Sequence, residues 1–181
     1  MKATETLKHE HQIVLLILGA AERAAQRASV TGKVRAAEVG KMVEFFQNFV
    51  DRCHHAKEER HLFPKVEERG EANAKGTIRL LLAEHDVGRQ WVKALTVALP
   101  LARKGDAAAV SVLASALKGY AALLRSHIDR EDNGLFPLAD RLLTPQDARA
   151  LVKAFDQIEA EEIGEGVHEK YHQLAHELAE H

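Results

Sequence analysis

Two stretches of the chain carry the same chemistry. His54-His55-Ala56-Lys57-Glu58-Glu59-Arg60-His61-Leu62-Phe63-Pro64 and His127-Ile128-Asp129-Arg130-Glu131-Asp132-Asn133-Gly134-Leu135-Phe136-Pro137 agree in histidine, base, glutamate, acid, Leu, Phe and Pro. A second pair agrees as well, Glu10-His11-Gln12-Ile13 with Glu84-His85-Asp86-Val87. The sequence therefore falls into two similar halves, each offering one histidine from a first segment and an H-x-x-x-E from a second. Four imidazoles and two carboxylates are a natural donor set for two borderline divalent or trivalent ions, each taking two histidines, with both glutamates bridging. Such a set leaves octahedral positions open, which favours iron, with manganese or zinc compatible. Calcium and magnesium would want more oxygen and little imidazole.

The elements that must hold these groups are helices. Apolar residues recur at helical spacing, Ala, Leu, Glu, Lys and Arg dominate, and β-branched runs are scarce, so the chain is all-α. Positions four apart lie on one helix face, roughly 6 Å along the axis. His54 and Glu58 thus continue the apolar stripe of Val43, Phe46 and Val50, and His127 and Glu131 continue that of Tyr120, Leu123 and Leu124. His11 lies among Leu7, Val14, Leu15 and Leu18, and His85 among Ile78, Leu81, Leu82 and Val92. Four helices turn metal-competent groups toward one interior, where an unpaired glutamate is costly. A positive partner is required.

The spacing predicts a first helix over about residues 4–28 and a second over about 35–61, ended by Phe63-Pro64 because the residue before proline disfavours the helical well. A linker at 70–76 precedes a third helix from about Thr77 to Lys104-Gly105, with Pro100 as a kink. Asp106 caps a fourth, which ends near Asn133-Gly134 ahead of Phe136-Pro137. Thr144-Pro145-Gln146-Asp147 is a capping signal for a further helix to about Glu162. Gly164-Glu165-Gly166 separates it from a last helix ending at His181. The expected architecture is an antiparallel up-down four-helix bundle over residues 1–140, with a C-terminal two-helix extension at 141–181 packing on it.

Composition narrows the function classes. The chain has 181 residues, 46% of them hydrophobic, a formal charge of −2 with both signs interspersed, and a single cysteine, Cys53. This is enough apolar material for a core without disulfides, and there is no basic footprint for nucleic acid. The longest purely apolar run, Ile13 to Leu18, is far too short to span a bilayer, and no leader is visible. The expectation is a cytoplasmic protein with no nucleic-acid or membrane partner and a small-molecule ligand. A lone cysteine also excludes a cysteine-rich zinc site.

With these motifs in their order, H, HxxxEE, EH and HxxxED, the latter two-carboxylate stretches each followed by LFP, residues 5–140 resemble the hemerythrin-like, or HHE cation-binding, family. The resemblance implies a four-helix bundle around a non-haem diiron centre, oxo- or hydroxo-bridged when oxidised. It assigns His11, His54, His85 and His127 as terminal ligands and Glu58 and Glu131 as bridging carboxylates. The sequence departs from oxygen-carrying hemerythrins, which have a second histidine where Arg89 stands and a longer fourth-helix spacing ending in aspartate. That departure argues against reversible oxygen carriage. The symmetric pattern resembles members associated with iron-dependent sensing or with handling of dioxygen, nitric oxide and peroxide. In some relatives the residue after the second-helix histidine adds a carboxylate ligand, a place held here by His55.

His55 lies about 100° around a helix from His54, which leaves it open between a seventh ligand on one ion and a residue beside the site. Glu59, Asp132, Lys57 and Arg130 are expected as solvated helix-face charges that pair locally. Tyr120 is expected as a packed residue two turns before His127, and Gly88 as room for a small ligand or for close helix packing. Cys53 is expected to be buried and inert. His168, His172 and His176 form a stripe on an amphipathic terminal helix. Two functions fit this pattern: a diiron protein that binds, or turns over, dioxygen, nitric oxide or peroxide, and a metal-binding or iron- and oxygen-sensing module without turnover.

Overall fold

The computed structural model describes residues 2–70, 72–164 and 166–180, and among these every regular element is helical. The chain builds α1 (Ala3–Thr31), α2 (Ala36–Phe45), α3 (Phe63–Arg69), α4 (Ala72–Arg103), α5 (Ala107–Arg130), α6 (Phe136–Leu142), α7 (Pro145–Ile158) and α8 (Val167–Ala179). Four wider π-helical segments are interposed: π1 (Phe46–His55), π2 (Glu58–Leu62), π3 (Glu131–Leu135) and π4 (Glu159–Ile163). The result is four long rods, α1, residues 36–69, α4 and residues 107–142, followed by the C-terminal helices. Among the sequence expectations, Glu165 of the last separator and the end at His181 lie outside the described residues.

Local chemistry explains the ends. Gly32 adopts the left-handed conformation at φ 65° and returns its N–H to Ala28, closing α1. Asp106 accepts from the N–H of Ala109 to start α5, and Thr144 and Asp147 cap each other reciprocally ahead of Pro145. Two expected breaks are absent. The second and fourth rods run on through Pro64 and Pro137 rather than ending there, and α4 begins at Ala72 inside the expected linker. Proline in a regular helix lacks a donor and collides with the carbonyl four residues back. Here the preceding turn is widened, so that Phe63 donates to the carbonyl of Glu58 and Phe136 to that of Glu131, five residues back.

The rods neighbour one another in a ring, with α5 packed on α1 and α4, α4 on α2, and α2 on α1. Two apolar clusters result. The larger includes Val14, Val50, Val92, Leu117 and Leu124, and the smaller includes Leu7, Leu62, Leu81, Leu135 and Phe136. Along every rod the titratable residues fall between these clusters, so the polar layer is sealed above and below by hydrocarbon. Helix α8 lies against α1 and the second rod. It buries Tyr171, Ala175 and Leu178, sets Tyr171 edge-on to Phe45 and Phe49, and receives Arg23 on its last carbonyls. The stretch Ala107–Leu142 is long and apolar enough to cross a membrane by length and composition, and half of its apolar window is buried in the protein, as a core helix requires.

Candidate metal centre

All seven sequence-selected residues meet in the polar layer, each less than 4% exposed. Their donor atoms form two groups, each within a 4.8 Å span: His11, His54, Glu58 and Glu131, and His55, Glu58, His85 and His127. The Nε2 atoms of His11 and His54 approach to 3.0 Å, and those of His85 and His127 to 3.1 Å. Glu58 lies between the pairs, with Oε1 3.5 Å from His54 and Oε2 3.5 Å from His85. Glu131 presents Oε2 to His11 at 3.2 Å and to His127 at 3.3 Å. Each glutamate thus touches both histidine pairs, which is the geometry a bridging carboxylate needs.

The opposite edges of the four imidazoles explain why their Nε2 atoms face inward. Nδ1 of His11 meets Asp132 at 2.8 Å, that of His54 meets Glu10 at 2.7 Å, that of His85 meets Glu59 at 2.7 Å, and that of His127 meets Glu84 at 2.9 Å. A carboxylate at Nδ1 keeps the proton on that nitrogen and frees the Nε2 lone pair. Each outer carboxylate comes from the rod next to its histidine. Phe63 stacks on His85 and Phe136 on His11, at 5.9 Å and 5.5 Å between ring centres. The Leu-Phe-Pro repeat therefore supplies both the widened turn and an aromatic floor.

Four charges expected to be solvated instead take part in this outer layer. Glu59 and Asp132 hold His85 and His11. Arg130 grips the second oxygen of Glu84 at 2.7 Å. Lys57 is fully buried, bonded to Glu10 and, at 2.5 Å, to Glu159. The sequence signal for these roles was present: Glu10 with Glu84, Glu59 with Asp132 and Lys57 with Arg130 all repeat between the halves.

Electrostatics mark the inner groups as a site built for positive charge. Both oxygens of Glu58, both of Glu131, and Nδ1 of His55 are buried without a hydrogen-bond partner. Burial, reinforced by repulsion from Glu131, drives Glu58 well above the carboxylate range. Burial opposes ionisation of Glu131 too, yet His127 and His11 beside it hold it low. His127 is the mirror case: burial disfavours its charge, but Glu131 and Glu84 lift it to about 9. Burial lowers His54 to about 4 against the pull of Glu10, and lowers His85. His11 is raised, since Asp132 and Glu131 outweigh its burial. Orphaned oxygens facing converged imidazole Nε2 atoms fit a cation of the nitrogen- and oxygen-binding kind.

His55, the last residue of π1, is also buried in the interior. Its ring stacks on His85 at 3.7 Å, and burial followed by the charge of His85 pushes its pKa well down. Beside it opens a pocket of about 80 Å³ lined by Phe46, Asp51, His55, His85, Gly88 and Tyr120, with Arg89 and Val92. Gly88 matters here, since a Cβ would stand 3.4 Å from the Tyr120 ring. Arg89 spans the rim, donating to Asp51 at 2.8 Å and Glu59 at 2.6 Å. Cys53 is buried, and burial pushes its thiol up to about 12, which makes it inert as expected. The terminal stripe is half-buried at His168 and His172 and exposed at His176.

A model of the hemerythrin HHE cation binding domain matches residues 2–139. The chain is also similar to an uncharacterized protein of Mycobacterium bovis and to its counterparts in two strains of Mycobacterium tuberculosis. Each is 24% identical over 163 residues, a match covering 90% of this chain and 63% of the relative. The chain thus spans less than two thirds of the length of these curated relatives. No solved structure matches it.

Proposed function

The chain belongs to the hemerythrin HHE cation-binding family, and on that premise we propose a non-haem diiron protein that binds or reacts with a small oxidant, dioxygen, nitric oxide or peroxide. His11 and His54 would hold one iron, His85 and His127 with His55 would hold the other, and Glu58 and Glu131 would be shared between them. Manganese or zinc suits the same donors. The observation that carries this reading is the convergence of four Nε2 atoms on the buried, unpartnered carboxylates of Glu58 and Glu131. The ring of neighbours α1, α5, α4 and α2, joined by short connections, supports an antiparallel up-down bundle, with residues 141–181 as an extension packed on it.

Bound iron would supply Lewis-acid and one-electron redox chemistry. The chain's own residues supply the rest. The two apolar clusters exclude bulk water. The outer carboxylates hold the Nδ1 protons and fix each ring. The pocket beside His55 has room for two or three molecules of water size, at ~30 Å³ each. That suits a diatomic molecule or a peroxide and excludes larger organic substrates. Burial raises the Tyr120 phenol, so its hydroxyl keeps its proton and serves as a donor at the pocket wall.

Anaerobic reconstitution with ferrous iron followed by elemental analysis is expected to give two irons per chain. One or none would overturn the dinuclear reading. Turnover of peroxide or nitric oxide by the loaded protein separates an enzyme from the alternative, a metal-binding or iron- and oxygen-sensing module. That alternative draws support from the tie between the extension and Glu10.

A further inference from the structure

The carboxylate that positions His54 is tied to the C-terminal extension, whereas among the described residues its counterpart in the other half is not. Glu10 accepts from Nδ1 of His54 and from the Lys57 ammonium, and Nε2 of His168 lies 3.6 Å from its Oε1. Lys57 donates in turn to Glu159. Glu159 opens π4 and His168 lies in the first turn of α8, so both come from the extension. In the other half Glu84 holds His127 and is held by Arg130, which is 39% exposed. No extension residue joins that pair among the described residues.

Glu10, Glu159 and His168 have the spacing of a metal site. Lys57 already bonds to both carboxylates, however, so the chain provides its own cation there. A buried ammonium is tolerated only while its carboxylates stay in place. Docking of the extension supplies one of the two carboxylates of Lys57. Lys57 then fixes Glu10, and Glu10 aims the Nε2 lone pair of His54 at the interior. A ligand that favours one arrangement of such a chain favours it at both ends, because the coupling is reciprocal.

We infer that the helices of the extension, α7, π4 and α8, form an arm coupled to the metal centre through Glu159, Lys57, Glu10 and His54, held down when the centre is loaded and loosened when it is empty. The inference rests on the metal-binding reading above. Glu159, Lys57 and Glu10 act as positioning residues. The arm also gives a sensing role a moving part that needs no further domain.

The test is hydrogen exchange on the full chain, empty and loaded with manganese(II) as a redox-silent probe, alongside metal affinity by titration. Loading is expected to slow exchange in π4 and α8 by about tenfold or more. Glu159→Gln should abolish that difference and weaken metal binding severalfold, up to the ~10–100-fold that follows loss of a direct outer-layer partner of a ligand, while Glu159→Asp restores both. Arg130→Gln should weaken binding yet leave the loading-dependent protection of the arm intact. Equal exchange in loaded and empty protein, with metal demonstrably bound, overturns the coupling alone. So does wild-type affinity in Glu159→Gln. A chain that takes up no metal overturns the coupling and the metal centre together.

Discussion

Replacing Glu58 by glutamine should change the stability of the empty and the loaded protein in opposite directions. In the empty chain Glu58 is fully buried and neither oxygen has a hydrogen-bond partner. An unsatisfied buried group of this kind costs about 1–3 kcal/mol. An amide keeps the shape, removes the repulsion with Glu131, and places a donor where Oε1 and Oε2 now lie 3.5 Å from the lone pairs of His54 and His85. For a chain of this length each kcal/mol shifts Tm by ~2–4 °C, so empty Glu58→Gln should melt roughly 2–12 °C above empty wild type near neutral pH.

The pH dependence follows from the direction of the shift. Because the folded-state pKa of Glu58 is raised, its contribution is most favourable below the unfolded carboxylate value and is lost as pH rises through the folded value. The variant's advantage should therefore be small in acid and grow with pH. Adding metal should reverse the order: wild type gains stability by mass action, while the variant lacks the carboxylate proposed to be shared by two ions and should release both. Calorimetric melting of each protein, empty and metal-saturated, with elemental analysis, reads all of this. If empty Glu58→Gln melts below empty wild type at neutral pH, or if it retains two metals, the account of this carboxylate is wrong.

Two further outcomes follow from the same geometry. Loading at pH 7 must displace the proton of His127, whose pKa is held near 9, so calorimetry in buffers of different ionisation enthalpy should show proton release and an affinity that rises with pH; no release would contradict the pairing of His127 with Glu131. Gly88→Val should fill the pocket against Tyr120, slowing the binding of azide or nitric oxide to the loaded centre at least tenfold with metal content unchanged; unaltered association rates would place ligand entry elsewhere.

Much of the centre was legible in the sequence, because helical periodicity converts spacing into direction. His54 with Glu58 and His127 with Glu131 repeat one spacing at the end of apolar stripes, and that sufficed to aim them inward. What spacing could not disclose was the change of helix type. Phe63-Pro64 and Phe136-Pro137 look like stops under α-helical rules, yet a widened turn accommodates each proline and lets the rods continue. His55 at the end of π1 also reaches the interior, although its place next to His54, about 100° round a regular helix, left its direction open. Lys57 repeats with Arg130, yet its burial was hidden for another reason: it depends on Glu159, 102 residues along the chain, and no local pattern reports a partner at that distance.

The outer hydrogen bonds also have a direction of travel. Glu10 of the first rod serves the second, Glu59 of the second serves the third, Glu84 of the third serves the fourth, and Asp132 of the fourth returns to the first. Every rod gives one carboxylate forward and receives one from behind, like a circle of linked hands. Sliding any one rod by a single residue would unseat two histidines at once, its own and its neighbour's. The circle is thus a vernier for the helices, selecting one alignment among the many that interchangeable alanine and leucine faces would tolerate, and doing so before any ion arrives.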